Sequence, residues 1–176
     1  MKRVLLIGTG TVLAMVLVVF AAGTVLPLNH EVTRGVTVAA SPQAVWAVVA
    51  NLPGQPRWRP ELLRVERVET SPPRDLWREV SRNGETLLLE TTTVAPPNQL
   101  VRTVADPAAP FSGSWEIRLE PVAEGTRISV TERASIPNPV FRVAARLFHD
   151  QGATADLYLA DLATQFNAIP PAGPSP

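Results

Sequence analysis

The hydrophobic pattern opens with 23 residues, Val4 to Leu26, that carry no formal charge and are dominated by Val, Leu and Ala. As a helix rising about 1.5 Å per residue they cover roughly 35 Å, enough to cross a hydrocarbon core of about 30 Å. Lys2 and Arg3 precede the run, and Glu31 and Arg34 follow only after Pro27. The bias predicts a single-pass transmembrane anchor over residues 1–27, N-terminus in the cytoplasm, with the rest of the chain on the outer, periplasmic or extracellular side. A cleaved signal peptide is the competing reading, since 19–21 and 21–23 are small-residue cleavage sites. Signal apolar regions, however, usually span only about 7–15 residues. Cleavage would make the same domain a secreted one.

Beyond residue 30 the period changes to two. Residues 30–39 are β-branched and partly alternating, which predicts a strand. Ser41–Pro42 then supplies an N-cap and a first-turn proline for a short helix through Ala44–Val49. Residues 51–60 carry three prolines and a glycine and read as an irregular loop or single helical turn. Strands follow over 62–70, 75–82, 85–94, 99–105, 113–121 and 126–134. Asn83–Gly84 is a hairpin signal between two of them. In 113–121, Trp115, Ile117 and Leu119 take one face and Glu116, Arg118 and Glu120 the other. With the first strand these make a seven-stranded antiparallel sheet.

The last pattern is helical. Val140, Ala144, Leu147, Tyr158, Leu162 and Phe166 recur at helix spacing, predicting one long helix over 140–168 with its apolar stripe on the core and a kink at Gly152. The Pro-rich tail, 170–176, reads as disordered.

Composition narrows the chemistry. Sixteen basic and sixteen acidic residues cancel, and without Lys2 and Arg3 the balance falls to about −2, which argues against a nucleic-acid partner. Fifteen of the sixteen basic residues are arginine, read with the abundant Ala, Val and Pro as compositional bias. The chain has no cysteine, so disulfides, thiolate metal sites, cysteine nucleophiles and a lipoprotein anchor are excluded. His30 and His149 stand far apart, and His149–Asp150 do not face one another on a helix. No metal-ligand spacing, cofactor motif or phosphate-cradling glycine loop is present, so no catalytic residue, metal or cofactor is assigned.

The order of elements and the local sequence Ser41–Pro42–Gln43–Ala44–Val45–Trp46, then Asn51, then Trp58–Arg59–Pro60, resemble the SRPBCC superfamily of START-like and polyketide-cyclase/dehydrase-like proteins. The resemblance covers about 31–167, within a domain taken as 28–169. It implies an α+β helix-grip fold: a curved seven-stranded antiparallel sheet around a long C-terminal helix, here preceded by a membrane anchor. It also implies a cavity for a hydrophobic small molecule or lipid, with Trp46 packing the first helix under the sheet and Trp58–Pro60 shaping the mouth. The superfamily often has an acidic residue where this chain has the neutral Asn51.

Strand phase supplies candidates for that cavity. If Ile128 and Val130 face inward, so does Glu132; if Leu100 and Val104 do, so does Arg102. A bulge or register slip would put both outside instead. Trp115 and Tyr158 complete the cavity-lining candidates, core packing being the competing role for each. The leading function is membrane-tethered binding of an apolar ligand. The alternatives are a cyclase/dehydratase-like enzyme and a structural or interaction domain whose core is filled by side chains. Oligomeric state is left open.

Overall fold

The computed structural model describes residues 15–148, 150 and 152–167. Residues 15–25 are helical, and among the described residues no helix is long and apolar enough to cross a membrane. The anchor expected over 4–26 lies in part outside the described residues, as do His149 and the tail at 170–176.

Among the described residues alternation yields seven strands: β1 (Asn29–Val38), β2 (Leu62–Val68), β3 (Leu76–Ser81), β4 (Thr86–Ala95), β5 (Gln99–Val104), β6 (Ser112–Val122) and β7 (Gly125–Ser135). They form one antiparallel sheet in the order β1-β7-β6-β5-β4-β3-β2. From β2 to β7 consecutive strands are neighbours in the sheet, and β1 pairs with β7, the last strand. Asn83–Gly84 turns β3 into β4, with Gly84 at φ +91. At the β6–β7 turn Gly125 has φ +133, and a Cβ there would lie 2.2 Å from the Val38 carbonyl oxygen. Only glycine lets this turn settle against the end of β1, where Thr126 Oγ1 donates to Ala40 O at 2.6 Å.

Helix α1 (Pro42–Val49) is capped by Ser41, whose Oγ accepts from Ala44 N–H at 3.3 Å. It buries Val45 and Val49, with Trp46 half-buried at the edge of the core. A 3-10 helix, Leu52–Arg57, follows. Asn51 caps it, accepting from Gly54 N–H at 3.2 Å, so a neutral side chain serves at the position where an acidic one is common.

The C-terminal helix departs from expectation. It is two helices, α2 (Pro139–Phe148) and α3 (Ala153–Asn167), separated at Gly152, which takes φ +97. A Cβ on Gly152 would meet the Arg34 guanidinium at 2.9 Å, so glycine lets the chain turn close to β1. The break resets helical phase. In α3 Tyr158, Leu162 and Phe166 pack on the core, as expected, and Leu159 joins them. In α2, Val140 and Leu147 are exposed, against the single-stripe expectation.

One hydrophobic cluster unites α1, the 3-10 helix, the inner face of the sheet and α3, including Val38, Leu52, Leu100, Leu119, Ile128, Val130 and Leu162. The sheet holds α3 on this face, the arrangement implied by the resemblance. The outer face is polar and ion-paired: Glu116 accepts from Arg133, Arg118 and Gln99, and Arg133 also reaches Glu31. The Arg133 hydrogen bond holds the Glu116 carboxyl below the usual range.

Candidate functional site

Cross-strand register turns isolated polar positions into a layer. Glu132 on β7 pairs with Trp115 on β6, Trp115 with Arg102 on β5, and Arg102 with Thr91 on β4. Paired residues share a face, and this face is the one that carries Leu100, Ile117 and Val130 in the core. A bulge of the kind that would turn Arg102 or Glu132 outward does occur, but it falls in β4, between Thr91 and Thr93. The β5–β6 and β6–β7 registers run without a shift, so Arg102 and Glu132 keep their inward phase.

Arg102 is 5% exposed and pairs with Glu79 on β3, itself 8% exposed. The other Glu79 oxygen accepts from Arg59 Nη1 at 3.3 Å. Arg59 leaves the loop after the 3-10 helix and also donates to Glu61 at 2.6 Å and to buried Gln55 at 3.0 Å. Its guanidinium lies 5.4 Å from the centre of the Tyr158 ring on α3. Trp58 meets the same ring edge-on at 5.2 Å. Sheet, loop and C-terminal helix therefore converge on one buried polar belt. At its β1 end His30 Nε2 is 3.8 Å from Glu132 Oε1.

Within the belt many polar atoms are buried without a protein partner among the described residues. They are Arg102 Nε and Nη2, Trp115 Nε1, Thr91 Oγ1, Tyr158 Oη and Glu132 Oε2. Buried polar groups are ordinarily satisfied, and leaving one unpaired costs about 1–3 kcal/mol. Donors outnumber acceptors, so the belt suits a group rich in oxygen: a carbonyl, a carboxylate, a hydroxyl or a phosphoryl. Burial pushes the Tyr158 hydroxyl well above the ordinary tyrosine range, so it acts as a neutral donor rather than a base. No group of three or more metal-ligating side chains occurs among the described residues.

All four sequence candidates, Arg102, Glu132, Trp115 and Tyr158, lie on or against this inner face. Sequence reasoning missed Glu79 and the role of Arg59. Glu79 carried a signal, since it shares strand phase with Trp77 on β3, but its partner Arg102 is 23 residues away and the pairing needs the fold.

Asp161 stands at the margin of the belt with its Oδ2 buried and unpartnered. Burial raises its pKa, Glu61 adds to the rise and Arg59 opposes it. A carboxyl raised in the folded state adds stability below its unfolded pKa and loses it as pH climbs through the folded value. Asp161→Asn should therefore be more stable than wild type at pH 7, by roughly 0.5 kcal/mol, since solvent screens the partly accessible carboxyl. The gap should shrink as acid protonates the wild-type carboxyl, a trend readable in thermal melts at pH 4 and pH 7.

An open groove of about 450 Å³ lies at the end of the sheet where β1, β6 and β7 meet, lined by Asn29, His30, Ser112, Gly113, Arg133 and Ser135 among others. His30 joins it to the belt. The groove adjoins the linker from the N-terminal helix, where Ile136 N–H donates to Leu28 O at 3.0 Å.

A protein family described as "Polyketide cyclase / dehydrase and lipid transport" matches residues 29–165. No curated protein matches the chain in sequence. Among solved structures it is similar to the di-domain ARO/CYC StfQ from the steffimycin biosynthetic pathway, with a TM-score of 0.63 and 16% identity over 79% of this chain. The chain spans 51% of that protein's length. It is also similar to the Zhui aromatase/cyclase from Streptomyces sp. R1128, at TM-score 0.59 and 19% identity over 80% of this chain and 97% of that one. A START superfamily protein from Mycobacterium smegmatis aligns at TM-score 0.58 and 18% identity, over 78% and 97% of the two chains. At these identities the likeness is one of fold.

Proposed function

The chain belongs to the polyketide cyclase / dehydrase and lipid transport family, and from that premise we propose that it is a membrane-tethered binding protein for a hydrophobic small molecule or lipid. The ligand sits between the sheet and α3 with its oxygen-bearing end on the belt. The observation that carries this reading is the set of buried, unpartnered donors of Arg102 and Trp115 on the inner face of the sheet and of Tyr158 on the helix packed against it. Binding is partition with orientation. Each 100 Å² of ligand apolar surface removed from water contributes about 2.5 kcal/mol, and the belt selects which end points inward.

The tether is the uncharged stretch 4–26, with Lys2 and Arg3 holding the N-terminus in the cytoplasm and the domain on the outer side. Its benefit is local: an apolar ligand is concentrated in the bilayer beside the groove. If the segment is cleaved, the same domain is a secreted binder.

The test uses the full-length chain in nanodiscs, titrated with cis-parinaric acid, a polyene fatty acid excited by energy transfer from tryptophan. Wild type should bind saturably, and Arg102→Met should weaken binding at least tenfold, since it removes the charge-assisted donors. Unchanged affinity in Arg102→Met, or no saturable transfer in wild type, defeats the reading.

A further inference from the structure

Two helices joined beside the linker each carry an exposed apolar surface that ligand binding leaves unused. Helix α2 is amphipathic: Val140, Ala144 and Leu147 share one side with Phe141 at its margin, and Arg142 and Arg146 lie opposite. That side faces outward, with Val140 44%, Phe141 50% and Leu147 70% exposed. On the helix at 15–25, Met15, Val16, Leu17, Val18 and Phe20 are exposed as well. Scattered apolar residues on a surface are ordinary, whereas adjoining ones mark a contact.

The two helices are locked together at their adjoining ends. Gly23 is buried, and a Cβ there would lie 2.1 Å from the Pro139 carbonyl oxygen, so only glycine allows the contact. Arg142 Nη1 donates to Leu26 O at 2.8 Å. The start of α2 is therefore held against the end of the long uncharged stretch.

We propose that α2 is an interfacial helix, lying in the headgroup region of the bilayer that the N-terminal stretch enters. Val140, Phe141 and Leu147 face the acyl chains, and the exposed Arg146 faces lipid phosphates. The inference rests on the membrane tether of the preceding section. Continuity selects a bilayer as the occupant: the contacts at Gly23 and Leu26 hold α2 beside a stretch whose own exposed side chains are apolar, and Arg146 stands exposed on the side away from the apolar one. This placement brings the groove at Asn29 and His30, next to the same linker, to the membrane surface.

The chain has no cysteine, so single cysteines can be introduced and labelled with an environment-sensitive fluorophore. Val18→Cys, Val140→Cys, Leu147→Cys and Arg127→Cys would each be made in the full-length chain. Each is then reconstituted in phosphatidylcholine–phosphatidylglycerol vesicles carrying doxyl-labelled acyl chains. Arg127 is exposed at the other end of β7 and serves as the reference. Quenching at 18, 140 and 147 several-fold above that at 127 is the expected result. Quenching at 18 without quenching at 140 and 147 overturns the interfacial helix and leaves the tether standing. Absence of quenching at 18 as well overturns both. If unlabelled Leu147→Cys instead oxidises to a disulfide-linked dimer while its label stays unquenched, a second copy covers this face and the proposal fails.

Discussion

Replacing Glu79 by alanine should lower the stability of the fold by about 3–5 kcal/mol, because it strands Arg102 as a buried, uncompensated charge. Arg102 is 5% exposed and Glu79 is its ion-pair partner. Arg59 loses one partner in the same substitution but keeps Glu61 and Gln55. The companion experiment removes both charges: Glu79→Leu with Arg102→Met should recover stability to within about 1 kcal/mol of wild type or exceed it, since well-packed apolar residues replace a buried pair at little cost. Urea unfolding followed by tryptophan fluorescence reads both. A double variant as unstable as Glu79→Ala would show that the two charges are not energetically coupled. The same double variant should fail to bind cis-parinaric acid, which separates what the belt contributes to folding from what it contributes to recognition.

The second large effect concerns the gripped helix. Leu162 is fully buried in the cluster that unites α3 with Leu119, Ile128 and Val130. Leu162→Ala should cost about 2–5 kcal/mol, the lost transfer energy plus the cavity left where neighbours cannot close in. Leu157, on the same helix, is 48% exposed, and Leu157→Ala should change stability by no more than about 0.5 kcal/mol. Equal losses at the two positions would mean that α3 is not seated on the sheet by the face described. Since Tyr158 stands on that helix and its ring meets Trp58 and the Arg59 guanidinium, a loosened α3 should also weaken ligand binding.

Reading the fold from the chain succeeded where the cause was local. The seven strands follow from alternation, the β3–β4 hairpin from Asn83–Gly84, and the start of α1 from the Ser41 cap. The inward phase of Arg102 and Glu132 was legible only as a condition, since a bulge in either strand would have turned them outward, and the structure decided it by placing the bulge in β4. The alignment of Arg102, Trp115 and Glu132 in one layer was not legible, because register between strands depends on turn lengths and on where a bulge falls. Glu79 shows the limit well: its phase was readable, but its neutralising partner stands on another strand.

The C-terminal region departs from its sequence pattern for a related reason. Val140, Ala144 and Leu147 have helical spacing, and so do Tyr158, Leu162 and Phe166, but helical phase is meaningful only along an unbroken helix. Gly152 breaks it, and the first half turns its apolar side outward.

By itself the sequence determined the uncharged stretch at 4–26, the absence of cysteine chemistry, the strand and helix periods and the residues able to face inward. These follow from side-chain chemistry and short-range geometry. Only the tertiary structure decided that Arg59, Glu79, Arg102 and Tyr158 meet, that donors there lack protein partners, and that α2 lies against the end of the N-terminal helix. Those are contacts between residues distant in the chain, set by strand register and by packing around one core, and no local period encodes them.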